Sequence, residues 1–182
     1  MIRLILVLIV IFLELRAYEY NDFLLHTQIS IYPKLLAFDK NLGKNIKDEK
    51  IDFYIIYASI DELVAQKLQS AISQKFDAIH GYPLQVHLLK VNEALADKRL
   101  YEYVDAIYLL KIDEAKAKEL AMKIAKHNVY SFVYDKKDLL YGYLFAIAIE
   151  RSVTIYINKK VLQQNDFDFI TALFENSKIV AP

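Results

Sequence analysis

The chain has 182 residues with 23 Lys plus Arg against 23 Asp plus Glu, so its formal net charge is zero. That length makes one ordinary domain with room for a proper core. A composition of 55% hydrophobic residues with three Gly and three Pro lies far from disordered or collagen-like chains. Zero net charge and the lack of any basic cluster argue against a nucleic-acid partner, and the absence of Cys excludes disulfides, thiol nucleophiles, Cys-ligated zinc and iron–sulfur clusters.

Arg3 followed by the unbroken apolar run 4–13, closed by Glu14, has the dimensions of an export signal. Ten helical residues reach only about 15 Å, half the hydrocarbon thickness of a bilayer. Leu15-Arg16-Ala17 offers a small residue at the cleavage position, which predicts a signal peptide over 1–17, cleavage after Ala17 and a periplasmic single domain over 18–182. A retained N-terminal anchor is the alternative. Removal of 1–17 takes Arg3, Arg16 and Glu14 with it, leaving 21 basic and 22 acidic groups, so near-neutrality survives processing.

Helical spacing over 21–39 predicts a first helix broken at Pro33. Residues 41–50 are polar and contain Gly43, a solvated connection. The run 51–58, Ile-Asp-Phe-Tyr-Ile-Ile-Tyr-Ala, reads as a central strand covered on both faces. Ser59 or Asp61 then caps a helix whose stripe is Leu63, Val64, Leu68, Ala71, Ile72 and Phe76. A turn at 80–83 leads to a second strand over 84–91, a short helix over 92–103 and a third strand over 104–110. Asp113-Glu114 opens a helix running to Lys126, with its end marked at Asn128, and a fourth strand follows over 129–134. Two apolar runs, 144–149 and 153–157, flank Glu150-Arg151-Ser152 and predict a hairpin at the sheet edge, before a C-terminal helix from about Asp168. The expected fold is α/β: a layered arrangement with a mostly parallel central sheet, an edge β-hairpin and a C-terminal helix.

Such sheets often serve nucleotides, but Tyr57-Ala58-Ser59-Ile60-Asp61 has no glycine to let a pyrophosphate approach, and no Gly-x-Ser-x-Gly elbow occurs. Asp61-Glu62 and Asp113-Glu114 sit where a phosphoacceptor would want acids, yet helix N-terminal placement explains them. His26, His80, His87 and His127 lack the spacing of a local metal pair. No catalytic residue, cofactor or metal is therefore expected. Most of the 14 Tyr and ten Phe fall on core-facing periods, whereas Tyr18, Tyr20, Tyr141 and Tyr143 fall at element ends, where exposed tyrosines mark contact surfaces.

From Val153 onward, Val-Thr-Ile-Tyr-Ile-Asn, the segment 159–166 and then Phe-Asp-Phe-Ile-Thr-Ala-Leu-Phe-Glu-Asn-Ser-Lys-Ile-Val resembles the C-terminal signature of the YfiR family of periplasmic proteins. In that family a strand ends in Ile-Asn, here Ile157-Asn158, and the last helix carries a Leu-Leu pair, here Leu173-Phe174, before a closing apolar strand or tail. Leu140-Tyr141-Gly142-Tyr143-Leu144 stands where the family has a Gly-Gly turn, and Tyr32-Pro33 is similar to its aromatic-Pro step. The chain departs from the pattern at Tyr141 or Tyr143 for one glycine, at Tyr32 for Trp and at Ile170 for a capping Ser, and it has no cysteines for redox sensing.

The resemblance implies a non-enzymatic periplasmic regulator, able to form a homodimer, that binds the periplasmic part of an inner-membrane diguanylate cyclase or sensor kinase and so acts in cyclic-di-GMP or related signalling. Tyr141, Gly142, Tyr143 and Tyr20 are the candidate partner-binding residues, because exposed aromatics concentrate binding energy. The alternative is a periplasmic small-ligand binding protein with its ligand at the carboxyl ends of the strands.

Overall fold

Eight strands form one sheet in the order β2-β3-β1-β4-β5-β6-β7-β8. They are β1 (Ile51–Tyr57), β2 (Ala78–Ile79), β3 (Tyr82–Lys90), β4 (Ala106–Leu109), β5 (Tyr130–Val133), β6 (Phe145–Ile149), β7 (Val153–Asn158) and β8 (Ser177–Val180). This computed structural model describes residues 18–181, so the expected leader over 1–17 lies outside the described residues. No described helix is long and apolar enough to cross a membrane.

β3, β1, β4, β5 and β6 are parallel neighbours, while β2 on β3 and β7 on β6 pair antiparallel. β8 runs parallel to β7 and extends the edge one strand beyond the predicted hairpin. The fold is the expected α/β arrangement with a mostly parallel sheet. β1 shows why: six of its seven residues are buried, because helices cover both faces and a β-branched, aromatic run suits a strand with no wet side.

The helices are α1 (Asp22–Leu36), α2 (Leu42–Asn45), α3 (Glu62–Lys75), α4 (Val91–Ala96), α5 (Leu100–Tyr103), α6 (Glu114–Ile124), α7 (Lys159–Gln164) and α8 (Thr171–Glu175). Leu25, Ile29, Leu35 and Leu36 of α1 and Leu68 and Ile72 of α3 pack on one sheet face, against Phe53, Ile55, Phe132 and Phe145. Val91 and Ala94 of α4 and Ala117, Leu120, Ala121 and Ile124 of α6 pack on the other, against Ile56, Ile107 and Leu109. The rings of Phe53, Phe132 and Phe145 stack in a row across the first face, with Tyr32 stacked 4.7 Å from Phe132.

Three local expectations are corrected. α1 runs unbroken through Pro33. Proline's fixed φ suits a helix, and Tyr32, Leu35 and Leu36 on either side are fully buried, so tertiary packing outweighs the missing N–H. The spacing places Leu63 on the core stripe of α3, yet it is 74% exposed and Ala65 takes the buried position. The 92–103 segment is two short helices rather than one. By contrast, α6 starts at Asp113-Glu114 as expected, with Glu114 in its first turn and Asp113 as its cap, the Asp113 carboxylate accepting from the Lys116 N–H at 3.0 Å.

Candidate functional site

Sheet order fixes where a crevice must form. The chain leaves β1 toward β3 on one side and returns to β4 on the other, so the loops after β1 and β4 part company at their carboxyl ends, the position at which open α/β sheets hold ligands. These loops are Ala58 to Asp61 and Leu110 to Asp113. The loop after β5 adds Tyr134, whose N–H is held by the Leu109 carbonyl at 2.9 Å.

Asp61 does not cap α3, although its position suggested that role. Its carboxylate turns instead toward the N-terminal segment Tyr18 to Asn21, which lies across the crevice as a strap. The Tyr18 backbone nitrogen donates to Asp61 Oδ1 at 3.3 Å and the Tyr20 hydroxyl donates to Oδ2 at 2.9 Å. The same Tyr20 hydroxyl accepts from the Lys111 N–H at 3.2 Å, and the Asn21 N–H donates to the Tyr134 hydroxyl at 2.8 Å. Lys111 Nζ donates to the Glu19 carbonyl at 2.5 Å and stands 5.5 and 5.0 Å from the centres of the Tyr20 and Tyr134 rings, which meet edge to face.

The electrostatics follow from burial. Asp61 is 1% exposed, and loss of water raises its pKa from the ordinary carboxylate range against the lowering effect of the Tyr20 and Tyr18 hydrogen bonds and the Lys111 charge. Burial together with the Asp61 charge raises the Tyr20 phenol, which stays a neutral donor. The site offers one carboxylate acceptor, one backbone donor, one ammonium and two aromatic faces, a recognition set for a small polar ligand with an apolar part. Beside it, Tyr20 forms one wall of a cleft of about 160 Å³ between α1 and α3, lined also by His26, Val64 and Lys67.

The predicted tyrosines are thus divided. Tyr20 sits in the crevice, half-buried, and Tyr18 is 39% exposed on the same strap. Tyr141 and Gly142 are about 120 residues further along the chain and line a separate cleft of about 240 Å³ with Lys126, Ser131, Asn158 and Lys160. Tyr143, read as exposed, is fully buried and corrects that expectation: its hydroxyl donates to the Ala117 carbonyl at 2.7 Å, tying the turn to α6. Sequence reasoning missed Asp61, Lys111 and Tyr134 as partners of the strap. The signal for Asp61 was visible only as an acid at a helix start, which the macrodipole accounts for equally well. Among the described residues no group of three or more His, Asp or Glu is placed to hold a metal ion.

The sequence matches no known domain family and no curated protein. In three dimensions the chain is similar to a conserved domain protein from Vibrio cholerae, at a TM-score of 0.60 and 13% identity over 83% of this chain and 59% of that one. It is also similar to an ABC domain from Streptococcus pneumoniae solved in complex with L-Trp, at a TM-score of 0.55 and 11% identity over 80% of this chain and 60% of that one. At these identities the likeness is one of fold. The chain spans about three fifths of the length of the two solved proteins.

Proposed function

We propose that the protein is an exported, non-enzymatic recognition protein that binds a small ligand in the crevice between the β1 and β4 loops. The observation that carries this reading is the convergence of buried Asp61 and Tyr134 with half-buried Lys111 at the carboxyl ends of the strands. The Streptococcus pneumoniae domain with the same fold, solved with L-Trp, lends support, and the apolar run 4–13 behind Arg3 supports export to the periplasm. Thermal-shift screening of the purified protein against the amino acids, L-Trp first, and a panel of small metabolites is the test. A ligand at one hundred times its Kd adds about 2.7 kcal/mol of stability. Binding that Asp61→Asn abolishes supports the crevice; a panel with no stabilising compound overturns it.

A second reading is a YfiR-like regulator that docks on the periplasmic part of an inner-membrane diguanylate cyclase or sensor kinase. It is favoured by one surface: Met122 and Leu140, 72% and 66% exposed, border the Tyr141-Gly142 cleft. Recovery of a membrane signalling protein by the wild-type chain, lost with Leu140→Ser, would select this reading over the first.

A further inference from the structure

The strap occupies the crevice by contacts that run from its first nitrogen to its fourth, and the first of them lands on a buried carboxylate. As an amide N–H the Tyr18 nitrogen gives Asp61 one neutral hydrogen bond. Cleavage after Ala17 would make that same nitrogen an α-ammonium, protonated at neutral pH because its ordinary pKa is about 7.7–8.0. The atom stands 3.3 Å from Oδ1 of a side chain that is 1% exposed, so the new charge would face a carboxylate removed from water, where charge-assisted hydrogen bonds are about twice as strong as neutral ones.

The remaining contacts fix what this charge would hold in place. Tyr20 occupies the second oxygen of Asp61 and the Lys111 N–H, Asn21 occupies the Tyr134 hydroxyl, and the Glu19 carbonyl occupies Lys111 Nζ. The Asp61 carboxylate, the Lys111 N–H and ammonium and the Tyr134 hydroxyl are thus met by the chain itself.

We propose that Asp61 is the counter-ion of the α-ammonium created by removal of residues 1–17, and that this pair seats the Tyr18–Asn21 strap as an internal occupant of the ligand crevice. Processing would then tighten the hold on a strap already seated in the crevice, and an external ligand would enter only by displacing it. This rests on the reading of 1–17 as a cleaved leader and of the crevice as the ligand site, and the latch can be measured apart from both.

Residues 18–181 carry the whole described fold, so a chain starting at Tyr18 can be compared with the same chain preceded by Arg16-Ala17. Hydrogen exchange at the Asn21 and Lys111 amides reads the strap directly, since both bond to tyrosine hydroxyls of the crevice. The expected result is exchange about five- to tenfold slower at both amides in the Tyr18 chain, with Asp61→Asn removing the difference between the two starts. Equal exchange in the two wild-type chains overturns the proposal, and that comparison needs no substitution to fold. N-terminal sequencing of full-length protein made in an exporting host tests the leader separately: a first residue other than Tyr18 removes the physiological latch even where exchange shows the ion pair.

Discussion

Tyr108 of β4 donates its hydroxyl proton to the side-chain carbonyl of Gln28 at 2.5 Å, joining the middle of the sheet to α1 inside a core from which both residues are completely hidden. The Gln28 amide nitrogen in turn donates to the Tyr134 carbonyl at 3.0 Å and the Ile147 carbonyl at 3.1 Å. β5 and β6 share only the pairs Phe132 with Phe145 and Val133 with Ala146. Beyond them the strands separate, and α1 side chains supply the bonds that the ladder no longer can. Tyr32 completes the bridge, donating to the Val133 carbonyl at 2.7 Å and accepting from the Ile147 N–H at 3.0 Å.

Gln28→Leu should therefore destabilise the fold out of proportion to its size, because it leaves two buried carbonyls and the Tyr108 hydroxyl without partners. Each abandoned buried polar group costs about 1–3 kcal/mol. Tyr108→Phe, which removes one donor and strands only the Gln28 oxygen, should cost less. Urea denaturation of both variants would give that order; equal losses would contradict it.

Phe132→Ala removes the central ring of the row formed with Phe53 and Phe145 and uncovers Tyr32. A loss of about 3–5 kcal/mol is expected for a fully buried phenylalanine, measured as a lower denaturation midpoint with little change of slope.

Asp138 lies 6% exposed in the 3-10 turn Lys136–Tyr141, and burial, reinforced by the charge of Asp135, pushes its pKa up to about 6. Between its unfolded value of about 3.9 and that folded value, the native chain binds the proton and the unfolded chain does not. Stability from this group therefore falls as pH rises from about 4 to about 6 and levels off above it. Asp138→Asn should flatten this part of the stability profile, read from urea midpoints across the same range.

Gly142 closes the 3-10 turn at φ 111° and ψ 26°, a conformation that side chains rarely adopt. A Cβ there would meet open space, so Gly142→Ala isolates backbone strain, expected at about 1–3 kcal/mol. Nitration of the native protein should mark Tyr18 at the surface and spare Tyr143, as peptide mapping would show; modified Tyr143 would contradict its burial.

Much of the sheet was legible because β1, β4 and β5 are nearly continuous apolar runs of β-branched and aromatic residues, a pattern that two covered faces require. β2 and β8 were harder. Two residues carry no period, and the side chains of β8 are all at least partly exposed, so neither has a hydrophobic signature. The Pro33 break was a sound local inference overruled by contacts with residues about a hundred positions away. The crevice was illegible for a similar reason: Asp61 acquires its role from Tyr18 and Tyr20, 43 and 41 residues earlier, and no local pattern encodes that meeting.

The placement of α1 bears on how the polypeptide reaches its native state. Among the described residues α1 is the first helix to be synthesised; it can pack early on α3 and β1, but Gln28 and Tyr32 find their hydrogen-bonding partners at positions 133, 134 and 147, so its polar bridge to the sheet cannot be completed until four fifths of the chain exists. Such long sequence separations slow folding. A nascent polypeptide built this way keeps its central bridge between β5 and β6 unfinished until most of it has been made.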